Sequence, residues 1–302
     1  MAGRLDWSTD GRDWPAREHS AFVEAGGLRW HVQRAGPAAR GRPRLLLVHG
    51  TGASTHTWRA ILPLVDPQYD WLAMDLPGHA FTSMPAASRL TLPGVARALE
   101  ALLQRLSFRP DVAVGHSAGA AIVVRMALDG ALPGAVLGAV NGAFLPFGGV
   151  AAPVFGPLAR LLHGAGWVAR LFARRAADPE VVARLVGGTG SRLDAAGLAL
   201  YGRLMRSPGH TAAALAMMAH WDLRSLAHEL PRLALPLHLL AGANDRATPP
   251  RQARRVHRIS PGSTLFILPG AGHLAHEESP AMVAGWMLAL RPTGALAVTA
   301  RV

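Results

Sequence analysis

The stretch Val112-Ala113-Val114-Gly115-His116-Ser117-Ala118-Gly119-Ala120-Ala121-Ile122-Val123-Val124 decides how the chain is read. It opens on a short apolar run of the kind that makes a strand buried on both faces. The residues from Ala118 to Leu128 suit an apolar helix. Between them stands Gly-x-Ser-x-Gly, a strand-turn-helix junction that exposes the serine Oγ at a helix N-terminus, where the dipole favours developing negative charge. The flanking glycines let strand and helix approach closely. Read for chemistry, Ser117 is a nucleophile. Read without chemistry, it is a serine capping a helix after a glycine-rich turn.

Outward from this point, strand and helix alternate. Upstream, Ser20 to Ala35 reads as a hairpin turning at Gly26-Gly27, Arg44 to Gly50 as a buried strand and Thr57 to Val65 as a helix. Trp71 to Asp75 is then a strand and Leu92 to Leu106 a helix. Downstream, Ala135 to Val140 is a strand, and after a long interruption the rhythm resumes with strands at Pro236 to Gly242 and Thr264 to Leu268, each followed by a helix. Such alternation predicts an α/β fold with a mostly parallel central sheet and helices on both faces. The interruption, residues 144–230, has helical spacings such as Leu198, Tyr201, Leu204 and Met205 and no convincing strand, so it is expected to be an inserted helical cap. It divides the core into residues 1–143 and 231–302.

A serine nucleophile needs a base, and the base needs an orienting acid. At strand ends in the order Ser, Asp, His stand Asp245, in Gly242-Ala243-Asn244-Asp245, and His273, in Pro269-Gly270-Ala271-Gly272-His273. Asp245 also suits a turn ahead of Pro249-Pro250. The oxyanion of acyl transfer requires backbone N–H donors, and Ala118 and Thr51, the latter in His49-Gly50-Thr51-Gly52, are the expected pair. His49 reads as a structural residue tying loops together. Asp75 is a carboxylate on the wrong strand for the triad. Gly187 to Ser191 reads as a turn with Ser191 capping the next helix, and His276-Glu277-Glu278 suits a solvated face as well as anything else. No cysteine and no His-Glu-x-x-His motif occurs, so neither a metal nor another cofactor is expected.

Composition narrows the partners. The chain has 302 residues, half of them apolar, which is enough for a sizeable core. All 31 basic residues are arginine against 19 acidic ones, a net charge of +12. The arginines are scattered among acidic residues, so nucleic acid is not expected as a partner. A diffuse positive field suits acidic small molecules or an anionic membrane surface. The opening Met1 to Asp13 lacks the basic-then-apolar design of a secretory signal, and the absence of cysteine fits a reducing compartment, so a cytoplasmic location is expected.

Taken with Asp75-Leu76-Pro77-Gly78-His79, these motifs resemble the α/β-hydrolase superfamily over nearly the whole chain. More narrowly, Trp30-His31-Val32-Gln33, Asn141-Gly142-Ala143, Met217 to Leu223 and Gly272 to Glu278 look like the magnesium-chelatase accessory proteins of bacteriochlorophyll synthesis. One departure is Ala80, where the superfamily turn has glycine. The resemblance implies a magnesium-tetrapyrrole setting, with magnesium-chelatase subunits and the photosynthetic membrane as candidate partners. Serine at the elbow, where dehalogenase- and epoxide-hydrolase-type members carry aspartate, points to a serine hydrolase acting on a small-molecule ester or a tetrapyrrole ester. The alternative is a non-catalytic tetrapyrrole-binding or chelatase assembly factor. In the cap, Phe144, Phe147, Met217 and Trp221 are the expected substrate contacts, and Phe144 to Pro157 is expected to form an apolar lip. His210 and His220 are candidate axial ligands to a bound magnesium.

Overall fold

A computed structural model describes residues 3–36, 39, 41–146 and 166–290. Its eight strands are β1 (Ser20–Ala25), β2 (Leu28–Arg34), β3 (Arg44–Val48), β4 (Asp70–Met74), β5 (Val112–His116), β6 (Val136–Val140), β7 (Leu237–Gly242) and β8 (Thr264–Leu268). They form one sheet in the order β1-β2-β4-β3-β5-β6-β7-β8. Pairing is antiparallel at β1–β2 and β2–β4 and parallel from β4 onward. The helices are α1 (Leu62–Val65), α2 (Leu92–Arg105), α3 (Ala118–Leu128), α4 (Gly166–Arg175), α5 (Pro179–Gly188), α6 (Ala195–Met205), α7 (Pro208–His220), α8 (Arg224–Glu229), α9 (Pro250–Ile259), α10 (Ala275–Glu278) and α11 (Pro280–Ala289).

Every residue of β4, β5 and β6 is buried, which explains their unbroken apolar reading. The two-residue period of β3 divides the core: Leu46 and Val48 join Leu99, Leu102 and Ile122 of α2 and α3 on one face, while Leu45 and Leu47 join Ile61 and Met287 on the other. One expected helix is broken. In place of Thr57 to Val65 the chain makes a single-turn 3-10 helix at Thr55–Trp58 and only then α1. Pro63 has no N–H to donate, so a helix tolerates it in the first turn and not in the interior.

Between β6 and β7 the described residues form α4 to α8, with α4 packed on α7 and α6 on both α5 and α7. Asp178, Asp194 and Ser207 cap α5, α6 and α7, each side chain accepting from an amide of the first turn. Ser191 is not a helix cap, contrary to expectation: its buried hydroxyl accepts from the Leu274 amide at 2.8 Å, tying this region to the loop after β8. Among the described residues no helix is long and apolar enough to cross a membrane.

Candidate active site

The strand order places the site. From β3 the chain goes to β4 on one side and then returns past β3 to β5, so the direction in which successive strands are added reverses between β3 and β5. In open α/β sheets the crevice beyond the strands' carboxyl ends at such a reversal is where ligands bind. The Gly50-Thr51-Gly52 loop leaves β3 there, and Ser117 leaves β5.

Ser117 has φ +52° and ψ −117°, a strained conformation for a non-glycine residue, directly before the first residue of α3. Close packing holds it. A Cβ at Gly119 would lie 2.2 Å from the Val48 carbonyl oxygen, and one at Gly50 would lie 2.9 Å from the Ser117 Cβ. Ser117 is part-exposed, and its hydroxyl makes no hydrogen bond to a described residue. The Ala118 amide begins α3 and therefore has no intrahelical acceptor. Across the crevice, the Gly50 carbonyl accepts from the Ala53 amide at 3.2 Å, closing a turn whose third residue, Gly52, has φ +78°. That turn leaves the Thr51 amide outside its own hydrogen bond.

The loops after β7 and β8 bring Asp245 and His273 together. His273 Nδ1 lies 2.9 Å from Asp245 Oδ2, an arrangement in which the Nδ1–H donates to the carboxylate. Asp245 Oδ1 accepts from the Ala247 and Thr248 amides, and Oδ2 also takes the Asn141 amide at 2.5 Å and the Thr248 hydroxyl at 2.7 Å. Burial alone would raise the Asp245 carboxyl, but the bond and charge of His273 and the bonds from Thr248 outweigh it and hold the group below the usual carboxylate range. His116 Nε2 donates to the His273 carbonyl at 2.9 Å; buried, and beside the His273 ring, His116 is pushed down to about 3 and stays neutral.

Supporting residues went unrecognised in the sequence. Asn141, at φ +49°, and Thr248 steady Asp245; the Asp-x-x-Thr spacing was the available signal for Thr248. His210 of α7 accepts from the Ala80 amide at 3.0 Å and donates to the Gly52 carbonyl at 3.1 Å. Both its nitrogens are occupied, so it is not the open metal ligand the sequence allowed. His220 Nδ1 bonds the Ala216 carbonyl of its own helix. Nor is Glu277 solvated. It is buried, accepts from Thr57 and Tyr201, and pairs with Arg59; burial raises its carboxyl above the usual range despite these partners.

Of the expected cap contacts, Met217 is buried with Sδ 3.5 Å from the Thr51 hydroxyl. Trp221 is part-buried against the main core. Phe144 is 1% exposed and packs over Gly142 in the main core, which makes it wall and not lip. Phe147 lies outside the described residues, as does the remainder of the expected lip beyond Pro146. His49 ties loops together as expected, its Nε2 accepting from the Leu76 amide and its Nδ1 donating to the Gly50 carbonyl.

Residues 43–280 match the family model of the alpha/beta hydrolase fold. The chain is 39% identical over 276 residues to the magnesium-chelatase 30 kDa subunit of Rhodobacter capsulatus, covering 91% of this chain and 95% of that protein. It is 26% identical to the pimeloyl-[acyl-carrier protein] methyl ester esterase of Vibrio vulnificus, over 84% of this chain and 93% of that one. A solved alpha/beta hydrolase fold protein from Burkholderia ambifaria superposes with a TM-score of 0.73 at 22% identity, over 90% of this chain and all of that one, and so speaks for the fold. The chain belongs to the α/β-hydrolase family, in the group that includes the magnesium-chelatase 30 kDa subunit.

Proposed function

We propose that this protein is a serine hydrolase of carboxylic esters, with Ser117 as nucleophile, His273 as general base and Asp245 as orienting acid. The observation that carries the reading is a strained serine at a helix N-terminus, its hydroxyl without a hydrogen bond to a described residue, together with a His–Asp pair on loops at the same sheet edge. Ser117 Oγ attacks the ester carbonyl carbon while its proton passes to His273 Nε2. Asp245 keeps Nδ1–H in place and stabilises the imidazolium. The amides of Thr51 and Ala118 take the negative charge of the tetrahedral intermediate. Its collapse breaks the C–O bond, and the alcohol leaves with the proton from His273. Water, deprotonated by the same nitrogen, then frees the carboxylate from Ser117.

Similarity to a magnesium-chelatase subunit supports a role in magnesium-tetrapyrrole synthesis with chelatase subunits as partners, and the reading extends to a cytoplasmic location with peripheral contact to the photosynthetic membrane. In this reading residues 144–230 are a cap on the core formed by 1–143 and 231–302, and Met217 and Trp221 meet a flat apolar acyl group. Incubation with the methyl ester of magnesium protoporphyrin, followed by chromatography of the pigment, should yield the free acid. If pigment binds, seen as quenched tryptophan emission, but the ester survives, the non-catalytic pigment-binding alternative replaces hydrolysis.

A further inference from the structure

The arginines of this chain fall into two populations. Most of those with acidic neighbours are paired: Arg34 with Asp70, Arg125 with Asp129 and Glu229, Arg203 with Asp13, Arg224 with Asp222. Helix α9 is different. Arg251, Arg254, Arg255 and Arg258 occupy i, i+3, i+4 and i+7 of this ten-residue helix and so share one face. All four are exposed, and among the described residues none has a hydrogen bond or ion pair. The helix contains no acidic residue. Like charges at these spacings repel and weaken a helix. What holds α9 is its inner side, where Val256 is buried and Ile259 packs on the core beside Leu265.

Four guanidinium groups thus stand along about 10 Å of helix axis with no carboxylate supplied by the described residues. Their planar forks suit bidentate pairing with carboxylates. A bilayer-seeking helix sets large apolar side chains beside its cations; the outer face of α9 has none. Apart from the imidazole of His257 it carries no aromatic residue for stacking on bases. We propose that this face of α9 docks an acidic protein partner, one that presents carboxylates at helical spacing. None of the four arginines is hydrogen-bonded or ion-paired to Ser117, Asp245 or His273, so the surface stands or falls independently of the hydrolase reading.

The test uses the full chain and a fluorescent helical peptide with glutamates at i, i+3, i+4 and i+7, its binding followed by anisotropy across a salt series. One variant replaces Arg251, Arg254, Arg255 and Arg258 with Gln; a second makes the same charge change at Arg89, Arg97, Arg105 and Arg109, which are also exposed. The proposal expects the α9 variant to lose about tenfold or more in affinity, with a shallower salt dependence, and the second variant to stay within about threefold. It also expects the α9 variant to melt no lower than the parent, since repulsion is relieved. Equal losses in both variants, no binding by the parent, or a loss confined to phosphatidylglycerol vesicles or duplex DNA would each overturn it.

Discussion

Among the described residues, two sets of serine, histidine and aspartate differ in how the serine is held. In the first, the Ser20 hydroxyl lies 3.1 Å from His31 Nε2, and His31 Nδ1 lies 2.7 Å from Asp75 Oδ2. Its hydrogen-bond chain is the more complete of the two. His31 and Asp75 are fully buried, Asp75 also holds the Thr55 and Phe81 amides, and Ser20 opens an edge strand with ordinary extended geometry and accepts from Gln33 besides. In the second set Ser117 is strained and part-exposed, and its hydroxyl has no hydrogen bond to a described residue. A hydrogen-bonded series is thus not what singles out a nucleophile. The proposal rests instead on backbone strain and access at Ser117, and an uncommitted serine hydroxyl is compatible with a base that closes on it only when substrate is bound.

Substitutions can break this comparison. The largest effect is expected at the nucleophile: Ser117→Ala should cut ester turnover by up to about 10⁶, whereas Ser20→Ala should leave it within a fewfold. Steady-state assays with a chromogenic short-chain ester decide it. Next are the two acids. Asp245→Asn should lower turnover by about 10⁴ with the fold intact, because the amide favours the wrong His273 tautomer. Asp75→Asn should instead destabilise the protein by about 3–5 kcal/mol, since it breaks a buried pair and weakens the hold on two loops. Urea denaturation beside the activity assay reads both; reversed outcomes would exchange the roles assigned to the two arrays.

Acid sharpens the contrast. His49, His56, His79, His116, His210 and His276 are all held below the ordinary histidine range, chiefly by burial, with His116 at about 3 and His210 at about 4. Their folded values lie below the unfolded one, so the unfolded chain binds more protons once the pH drops below about 6.5. Stability should therefore fall from about pH 6.5 downward, by up to ~1.4 kcal/mol per pH unit for each such histidine. Asp75, lowered to about 2 because His31 and the Thr55 amide outweigh its burial, adds its own loss only below about pH 4. A urea midpoint as high at pH 5 as at pH 7.5 would contradict these assignments. The smallest effect is at the turn beside the first array: Ala80 has φ +39°, and Ala80→Gly should raise stability by at most about 1 kcal/mol, visible as a small rise in Tm.

Much of this was legible in the sequence because it is written in local signals. Apolar runs before Gly50, Ser117 and Asn141 mark strands buried on both faces, and the junction at Ser117 needs glycine at fixed offsets. The order Ser117, Asp245, His273 follows from strands whose carboxyl ends share one edge. What stayed hidden depends on contacts across the chain. Nothing beside His210 in sequence tells that it joins Ala80 to Gly52, or beside Glu277 that Tyr201, Thr57 and Arg59 enclose it. The arginines of α9 read as part of a scattered population until the helix set four of them on one face and the fold left them without carboxylates.

The central claim, that the strained serine and not the better-bonded one reacts, is tested most directly by treating the purified protein with a fluorophosphonate and mapping the adduct by peptide mass spectrometry. A single adduct on Ser117, absent in Ser117→Ala and undiminished in Ser20→Ala, is the expected result. Labelling that persists in Ser117→Ala, or an adduct on Ser20, would contradict it.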